Sequence, residues 1–375
     1  MKKSDSLNIN QTVDRRQFLR LSALGLAGLN LSAFCTSCGE RKHQTSTARQ
    51  PNILLFVADD AGWNDVGYHN PQIDTPNIDR LALQGVQLDH FYVCPTCSPT
   101  RASLLTGRPA SRFGILGPIA GRSRLALPLN SPTLAQSLHA SGYATAITGK
   151  WHLGLRPEVG PNHYGFEHCY GYLHGQIDQY THEYKNGDRS WHRNGEFIEE
   201  TGHATDLIAD EAIRFIRQNS GKNTPFFLYV PFSVPHYPLQ EPEEWTQRYR
   251  TIENESRRLF AASMTHADAA IGRILQALSA EQMEEETLVI FFSDNGGQKD
   301  WNPTTEYNMR HGPNDRLGDN TPLCGWKGQL YEGGIRVPAV FYWHGILAPR
   351  VLTEVTHVID IFPTLAALAN APIPN

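Results

Sequence analysis

The sequence predicts an α/β protein with a mostly parallel central sheet sandwiched by helices, and two patterns carry that expectation. Apolar runs without polar alternation recur, as in Asn52-Ile53-Leu54-Leu55-Phe56-Val57-Ala58 and Thr287-Leu288-Val289-Ile290-Phe291-Phe292; such runs suit strands buried on both faces of a parallel sheet. Between them fall stretches whose apolar residues return at helical spacing, and strands alternating with helices build this class of fold.

In chain order, the first segment reads as an address. Arg15-Arg16-Gln17-Phe18-Leu19-Arg20 precedes a mostly apolar run over residues 21–34, followed by Cys35-Thr36-Ser37-Cys38-Gly39. A basic stretch before a short apolar core is the pattern of a bacterial export signal, here of twin-arginine type over residues 1–38. The apolar run is shorter than the ~20 residues that span a bilayer. Cys38, with the small Ser37 before it, resembles a lipoprotein-processing cysteine. Residues 39–50 are polar and read as a tether, and residues 51–375 as one catalytic domain. The expected location is thus exported, periplasmic or outer-membrane-anchored in a bacterium. The domain opens with the strand that ends in Asp59-Asp60. Helices follow over residues 77–84 and 133–140, then an apolar run at 144–147, a helix at 205–218, a strand at 225–230, a helix at 259–278 and the strand that ends in Ser293-Asp294-Asn295-Gly296-Gly297.

With 33 Lys+Arg against 38 Asp+Glu the chain carries a net charge of −5. It lacks the basic excess that neutralising nucleic-acid phosphates requires, so no nucleic-acid partner is expected. Six cysteines in 375 residues are too few for a disulfide scaffold.

Ligands of open α/β sheets gather beyond the carboxyl ends of the strands. Asp59, Asp60, Asp294 and Asn295 fall there and offer hard oxygen donors of the kind Ca²⁺ or Mg²⁺ prefers. Taken singly, each pair would merely cap or make a turn; two acidic strand ends in one sheet point to a metal. In Cys97-Ser98-Pro99-Thr100-Arg101-Ala102-Ser103-Leu104-Leu105-Thr106-Gly107, Pro99 suits a first helical turn and Gly107 a helix end. Cys97 then sits at a helix N-terminus beside the Arg101 guanidinium, a setting that activates a nucleophile. Cys94-x-x-Cys97 fits neither a redox pair nor a metal knuckle well, since no second such motif follows.

This stretch closely resembles the signature of the formylglycine-dependent sulfatases, members of the alkaline-phosphatase-like superfamily, whose cysteine is oxidised to an aldehyde. Asp59-Asp60, Gly149-Lys150-Trp151-His152-Leu153-Gly154, Pro235-His236, Ser293-Asp294-Asn295-Gly296 and Gly325-Trp326-Lys327-Gly328 follow in the family's order. Residues 238–244 and 330–334 look most like the arylsulfatase B group, the N-acetylgalactosamine-4-sulfatases.

The resemblance implies that Asp59, Asp60, Asp294, Asn295 and the modified Cys97 hold Ca²⁺, or Mg²⁺. It implies further that Arg101 and Lys150 orient the nucleophile and neutralise charge, that His152 serves as base, and that His236 with Lys327 binds sulfate and protonates the leaving alcohol. The substrate would be a sulfated saccharide derived from a glycosaminoglycan or a marine polysaccharide. Partners would be a formylglycine-generating or anaerobic sulfatase-maturating enzyme and the twin-arginine or general export machinery, with a lipid anchor to the membrane at Cys38. Trp63, Asn64, His69, His163 and His174 are weaker candidates for sugar contacts, and Cys169 and Cys324 read as buried thiols. Two departures stand out. The chain stops where the family continues, so the small C-terminal antiparallel subdomain is expected to be missing or truncated; and Cys94 could compete with Cys97 for oxidation or pair with it. Alternatives are a phosphatase or phosphonate hydrolase on the same fold, and a non-catalytic glycan-binding relative.

Overall fold

A computed structural model describes residues 50–374, apart from residues 186, 303, 304 and 313. The export signal and all but the last residue of the tether therefore lie outside the described residues.

Ten strands form one sheet: β1 (Asn52–Ala58), β2 (Val86–Leu88), β3 (Ala144–Lys150), β4 (His168–Tyr172), β5 (Trp191–Arg193), β6 (Glu196–Phe197), β7 (Phe226–Pro231), β8 (Thr287–Ser293), β9 (Ala339–Trp343) and β10 (Arg350–Leu352). Their order is β10-β2-β9-β8-β1-β7-β3-β4-β5-β6. The central five, β8-β1-β7-β3-β4, are parallel. Antiparallel pairs β8-β9, β9-β2, β4-β5 and β5-β6 flank them, and the edge pair β10-β2 is again parallel, so the sheet is mixed. Every residue of β1, β7 and β8 is buried, as strands covered on both faces must be.

The helices of seven or more residues are α1 (Pro76–Gln84), α2 (Cys97–Thr106), α3 (Leu134–Ala140), α4 (Ala204–Asn219), α5 (Glu255–Ala280) and α6 (Ile361–Leu368). Leu54, Phe56, Leu228, Val230, Val289 and Phe291 share a core with Ile78 and Leu81 of α1, Ile208, Ala212 and Ile216 of α4, and Phe260, Ile271 and Ile274 of α5. Helices α2, α3 and α6 pack together separately from that cluster. Local chemistry fixes the helix ends. Thr133 and Gln136 form a reciprocal capping box on α3, the Asn254 side chain accepts from the Arg257 N–H at the start of α5, and Gly107, at φ 63°, closes α2 by donating to the Ser103 carbonyl, a left-handed position that favours glycine. No helix among the described residues is long and apolar enough to cross a membrane.

Register is what positions the chemistry. Ala58 of β1 lies opposite Ser293 of β8, Tyr229 of β7 opposite Ile147 of β3, and Lys150 of β3 opposite Tyr172 of β4. Neighbouring parallel strands therefore end at one level, and the residues that follow emerge together.

Candidate active site

Asp59 and Asp60 follow β1, Asp294 and Asn295 follow β8, Lys150 ends β3 with His152 two residues on, and His236 follows β7 through a turn. Helix α2 aims its first residue, Cys97, into this set, and Lys327 arrives from the loop before β9. The ten residues singled out from the sequence all belong to one buried network; Cys97, Arg101 and Lys150 are 2%, 1% and 0% exposed.

Each acid of the network has its own cation. Lys150 Nζ donates to Asp59 Oδ2 at 2.6 Å, Lys327 Nζ lies 2.6 Å from Asp60 Oδ1, and Arg101 donates twice to Asp294 Oδ2, at 3.1 and 2.7 Å. Arg101 also reaches the Lys150 carbonyl and the Tyr229 hydroxyl. The Asp60 N–H donates to Asp294 Oδ1 and the Asn295 amide to Asp60 Oδ1, which locks the two strand ends together. Asp60 has φ 75° and His152 φ 55°. Left-handed backbone at two non-glycine residues is strain of the kind that collects at functional sites.

Two histidines have their tautomers set by backbone carbonyls. His152 Nε2 lies 2.9 Å from the Ile119 carbonyl, so it carries the proton; Nδ1, 3.2 Å from Cys97 Sγ, is left with a lone pair toward residue 97. Burial, then the nearby Lys150 and Arg101 charges, hold His152 well below its ordinary range, so it is a neutral imidazole. His236 Nδ1 donates to the Tyr237 carbonyl at 2.6 Å, which turns Nε2 toward Asp60 Oδ2, 3.7 Å away. Burial and the Lys327 charge press its pKa to about 3. Burial also raises the Cys97 thiol, contrary to the activation expected from the helix N-terminus and Arg101; the guanidinium is spent on Asp294 and desolvation wins.

Asp59 Oδ1 and Asn295 Oδ1 are buried without a hydrogen-bond partner, a costly state for polar atoms. Burial, aggravated by Asp294 and Asp60, pushes Asp59 up to about 7 despite Lys150. Ligand atoms of Asp59, Asp60 and His236 lie within 4.8 Å of one another. Unpartnered hard oxygens and an undercompensated carboxylate suit a divalent cation.

The weaker candidates fall elsewhere. Trp63 stacks on His69 with centroids 4.0 Å apart and beneath the Arg336 guanidinium; Asn64 is bonded to Asp319; His163 is exposed; His174 is buried against Ser190 and Tyr184. Cys94, Cys97, Cys169 and Cys324 are all free thiols, so Cys94 does not pair with Cys97. Cys169 is buried as expected, whereas Cys324 is exposed, because it lies in an irregular loop rather than on a packed element. Sequence reasoning missed Ser98, whose hydroxyl donates to the His152 carbonyl and accepts from the Ile119 N–H, and Tyr229, hidden in an apolar run that reads only as core.

The sequence profile of the family Sulfatase matches residues 51–371. Among curated proteins, the chain is 37% identical over 362 residues to human (Homo sapiens) arylsulfatase A, covering 88% of this chain and 66% of that protein. It is 35% identical over 346 residues to arylsulfatase J of Mus musculus, covering 88% and 54%. The chain thus spans between about half and two thirds of these relatives' length. Among solved structures, Ps i-CgsB in complex with k-i-k-neocarrahexaose superposes with TM-score 0.78 at 32% identity, covering 87% of this chain and 73% of that one. With its match spanning nearly the whole described domain, the chain belongs to the sulfatase family.

Proposed function

We propose that this protein hydrolyses sulfate esters on a sulfated saccharide, with Cys97 converted to formylglycine and a Ca²⁺ held by Asp59, Asp60, Asp294 and Asn295. The observation that carries the reading is the meeting of Cys97, the His152 Nδ1 lone pair and three Lys/Arg–Asp pairs at one set of strand ends. The saccharide class rests on Ps i-CgsB, whose structure contains a neocarrahexaose, and on the arylsulfatase relatives.

When present, formylglycine supplies a geminal diol as nucleophile, and the dication polarises sulfate and lowers the pKa of the attacking hydroxyl. The chain's own groups do the rest. Lys150 and Lys327, which here hold Asp59 and Asp60, would be free to neutralise sulfate oxygens where those carboxylates hold the cation. Arg101 keeps Asp294 in place while bracing the Lys150 backbone. His236 Nε2 and Lys327 Nζ face the ester from the Asp60 side. An anion there opposes the burial and the Lys327 charge that keep His236 neutral, so His236 can take a proton and pass it to the departing alcohol oxygen. His152 Nδ1 takes a proton from the side chain of residue 97 as sulfate is released. Export by the twin-arginine route, lipidation at Cys38 and a dedicated maturation enzyme belong to the same proposal, and rest on the sequence.

Two measurements test it. The mass of the tryptic peptide containing residue 97 should be lower than that of the cysteine form. Matched aryl sulfate and aryl phosphate esters should show faster sulfate turnover; faster phosphate turnover would overturn the proposal in favour of a phosphatase.

A further inference from the structure

Outside the active site, the described residues contain one more buried group of metal-ligating side chains: His203, Glu241 and His266, whose ligand atoms lie within 4.8 Å of one another. His203 is the N-cap of α4, His266 lies on α5, and Glu241 lies in the loop after His236. His266 Nδ1 sits 2.6 Å from Glu241 Oε2. His203 Nε2 and Glu241 Oε1 face each other at 3.8 Å, with side chains 3% and 0% exposed. Neither atom has a hydrogen-bond partner. An orphaned imidazole nitrogen aimed at an orphaned carboxylate oxygen, both out of water, marks a site that lacks an occupant.

We propose that His203 Nε2, the Glu241 carboxylate and His266 Nδ1 bind a transition-metal dication, Zn²⁺ by ligand type, with water in the fourth position, clamping α4 and α5 to the loop after His236. Tetrahedral Zn²⁺ with bonds of about 2.0–2.1 Å sets its ligand atoms roughly 3.3 Å apart. The present spacings, 2.6 Å from His266 Nδ1 to Glu241 Oε2 and 3.8 Å from His203 Nε2 to Glu241 Oε1, bracket that value, so shifts of roughly 0.5–0.7 Å reach it.

The surroundings have the form such sites require. His266 Nε2 points at Asp206 Oδ2, 3.4 Å away, and Arg273 holds Asp206 through its other oxygen at 2.9 Å; a ligating imidazole usually donates its second N–H to a carboxylate. Trp245 stacks on His266, centroids 4.9 Å apart, and Tyr180 sets its edge against His203. These rings wall the site with apolar surface, while the Asp206 side chain, 46% exposed, marks the way in. With His203 Nε2 given to the metal, the His203 proton would sit on Nδ1, which opens the long 3.3 Å contact from the Thr205 N–H.

Two borderline imidazole donors beside a single carboxylate distinguish this cluster from the oxygen-rich active site, so the two can be titrated apart. The full chain, stripped with chelator and kept in excess Ca²⁺, is titrated with Zn²⁺ against a chromogenic chelator and, separately, with Co²⁺. One equivalent of Zn²⁺ should bind, with a rise in Tm, and Co²⁺ should give the visible absorption of a four-coordinate ion. His203→Asn and Glu241→Gln should each lose that equivalent and the Tm rise, and Asp206→Asn should bind about 10- to 100-fold more weakly. Failure of the wild-type chain to take up Zn²⁺, which needs no variant to fold, overturns the proposal. So does equal uptake by His203→Asn and Glu241→Gln.

Discussion

The replacement of Gly175 by alanine tests the base assigned to the active site. A Cβ built on Gly175 falls 2.5 Å from His152 Cε1 and 2.6 Å from His152 Nε2, against an ordinary contact of about 3.5 Å. The imidazole must therefore retreat by about 1 Å. Its Nε2–H···O bond to the Ile119 carbonyl, now 2.9 Å, is broken or lengthened, and Nδ1 leaves its place beside residue 97. Misplacement on this scale costs about 10²-fold in rate, and overpacking of this kind costs about 1–3 kcal/mol of stability. Steady-state kinetics on an aryl sulfate should show kcat about a hundredfold lower with KM little changed, at equal formylglycine content by mass spectrometry. Because the methyl group acts through the ring, Gly175→Ala combined with His152→Ala should be no slower than His152→Ala alone. A folded Gly175→Ala enzyme with wild-type kcat, or full additivity in the double variant, would refute the role given to His152.

Other outcomes follow from the same geometry. Cys97→Ala and His236→Ala should each abolish turnover while leaving the fold intact by circular dichroism; an active Cys97→Ala enzyme would show the nucleophile is wrong. Exhaustive chelation should remove activity and lower Tm, and Ca²⁺ alone should restore the activity. Asp178, bonded by the Thr181 and Tyr180 N–H groups and by His311, is held at about 2 because these bonds outweigh its burial. A depressed carboxylate contributes stability above its unfolded pKa and loses it as pH falls through the folded value. Asp178→Asn should thus cost roughly 2 kcal/mol at pH 7 in urea unfolding, and that difference should shrink between about pH 4 and pH 2.

The chemistry of this site was more legible in the sequence than its architecture. Asp59-Asp60 and Asp294-Asn295 announced themselves because acids ended long apolar runs, and register then had to bring adjacent parallel strands out level. Helix α2 could be read from Pro99 and Gly107, and it begins only two residues before that proline. The outer strands escaped. Residues 168–172, His-Cys-Tyr-Gly-Tyr, carry no apolar run, and β5 and β6 span three and two residues; their pairing is decided by tertiary neighbours. Equally hidden were the groups that set tautomers. Ile119 contributes a carbonyl to His152 and Tyr237 one to His236, and a backbone atom has no signature in side-chain chemistry. The raised Cys97 thiol was unreadable for a different reason, since it depends on burial and on Arg101 being already engaged with Asp294.

If the proposed function holds, the pairing of Lys150 with Asp59 and Lys327 with Asp60 couples two binding equilibria. A dication drawn in by the two carboxylates sets both ammonium groups free for an anion, and an anion drawn in by the ammonium groups sets both carboxylates free for a dication. Each ligand removes the competitor of the other, so their affinities must rise together, and by the same factor whichever arrives first. Inorganic sulfate should therefore inhibit more strongly as Ca²⁺ is raised, and Ca²⁺ should be retained more tightly in the presence of sulfate. Heterotropic cooperativity of this kind needs no movement of the backbone: four side chains exchanging partners within a few ångströms are sufficient.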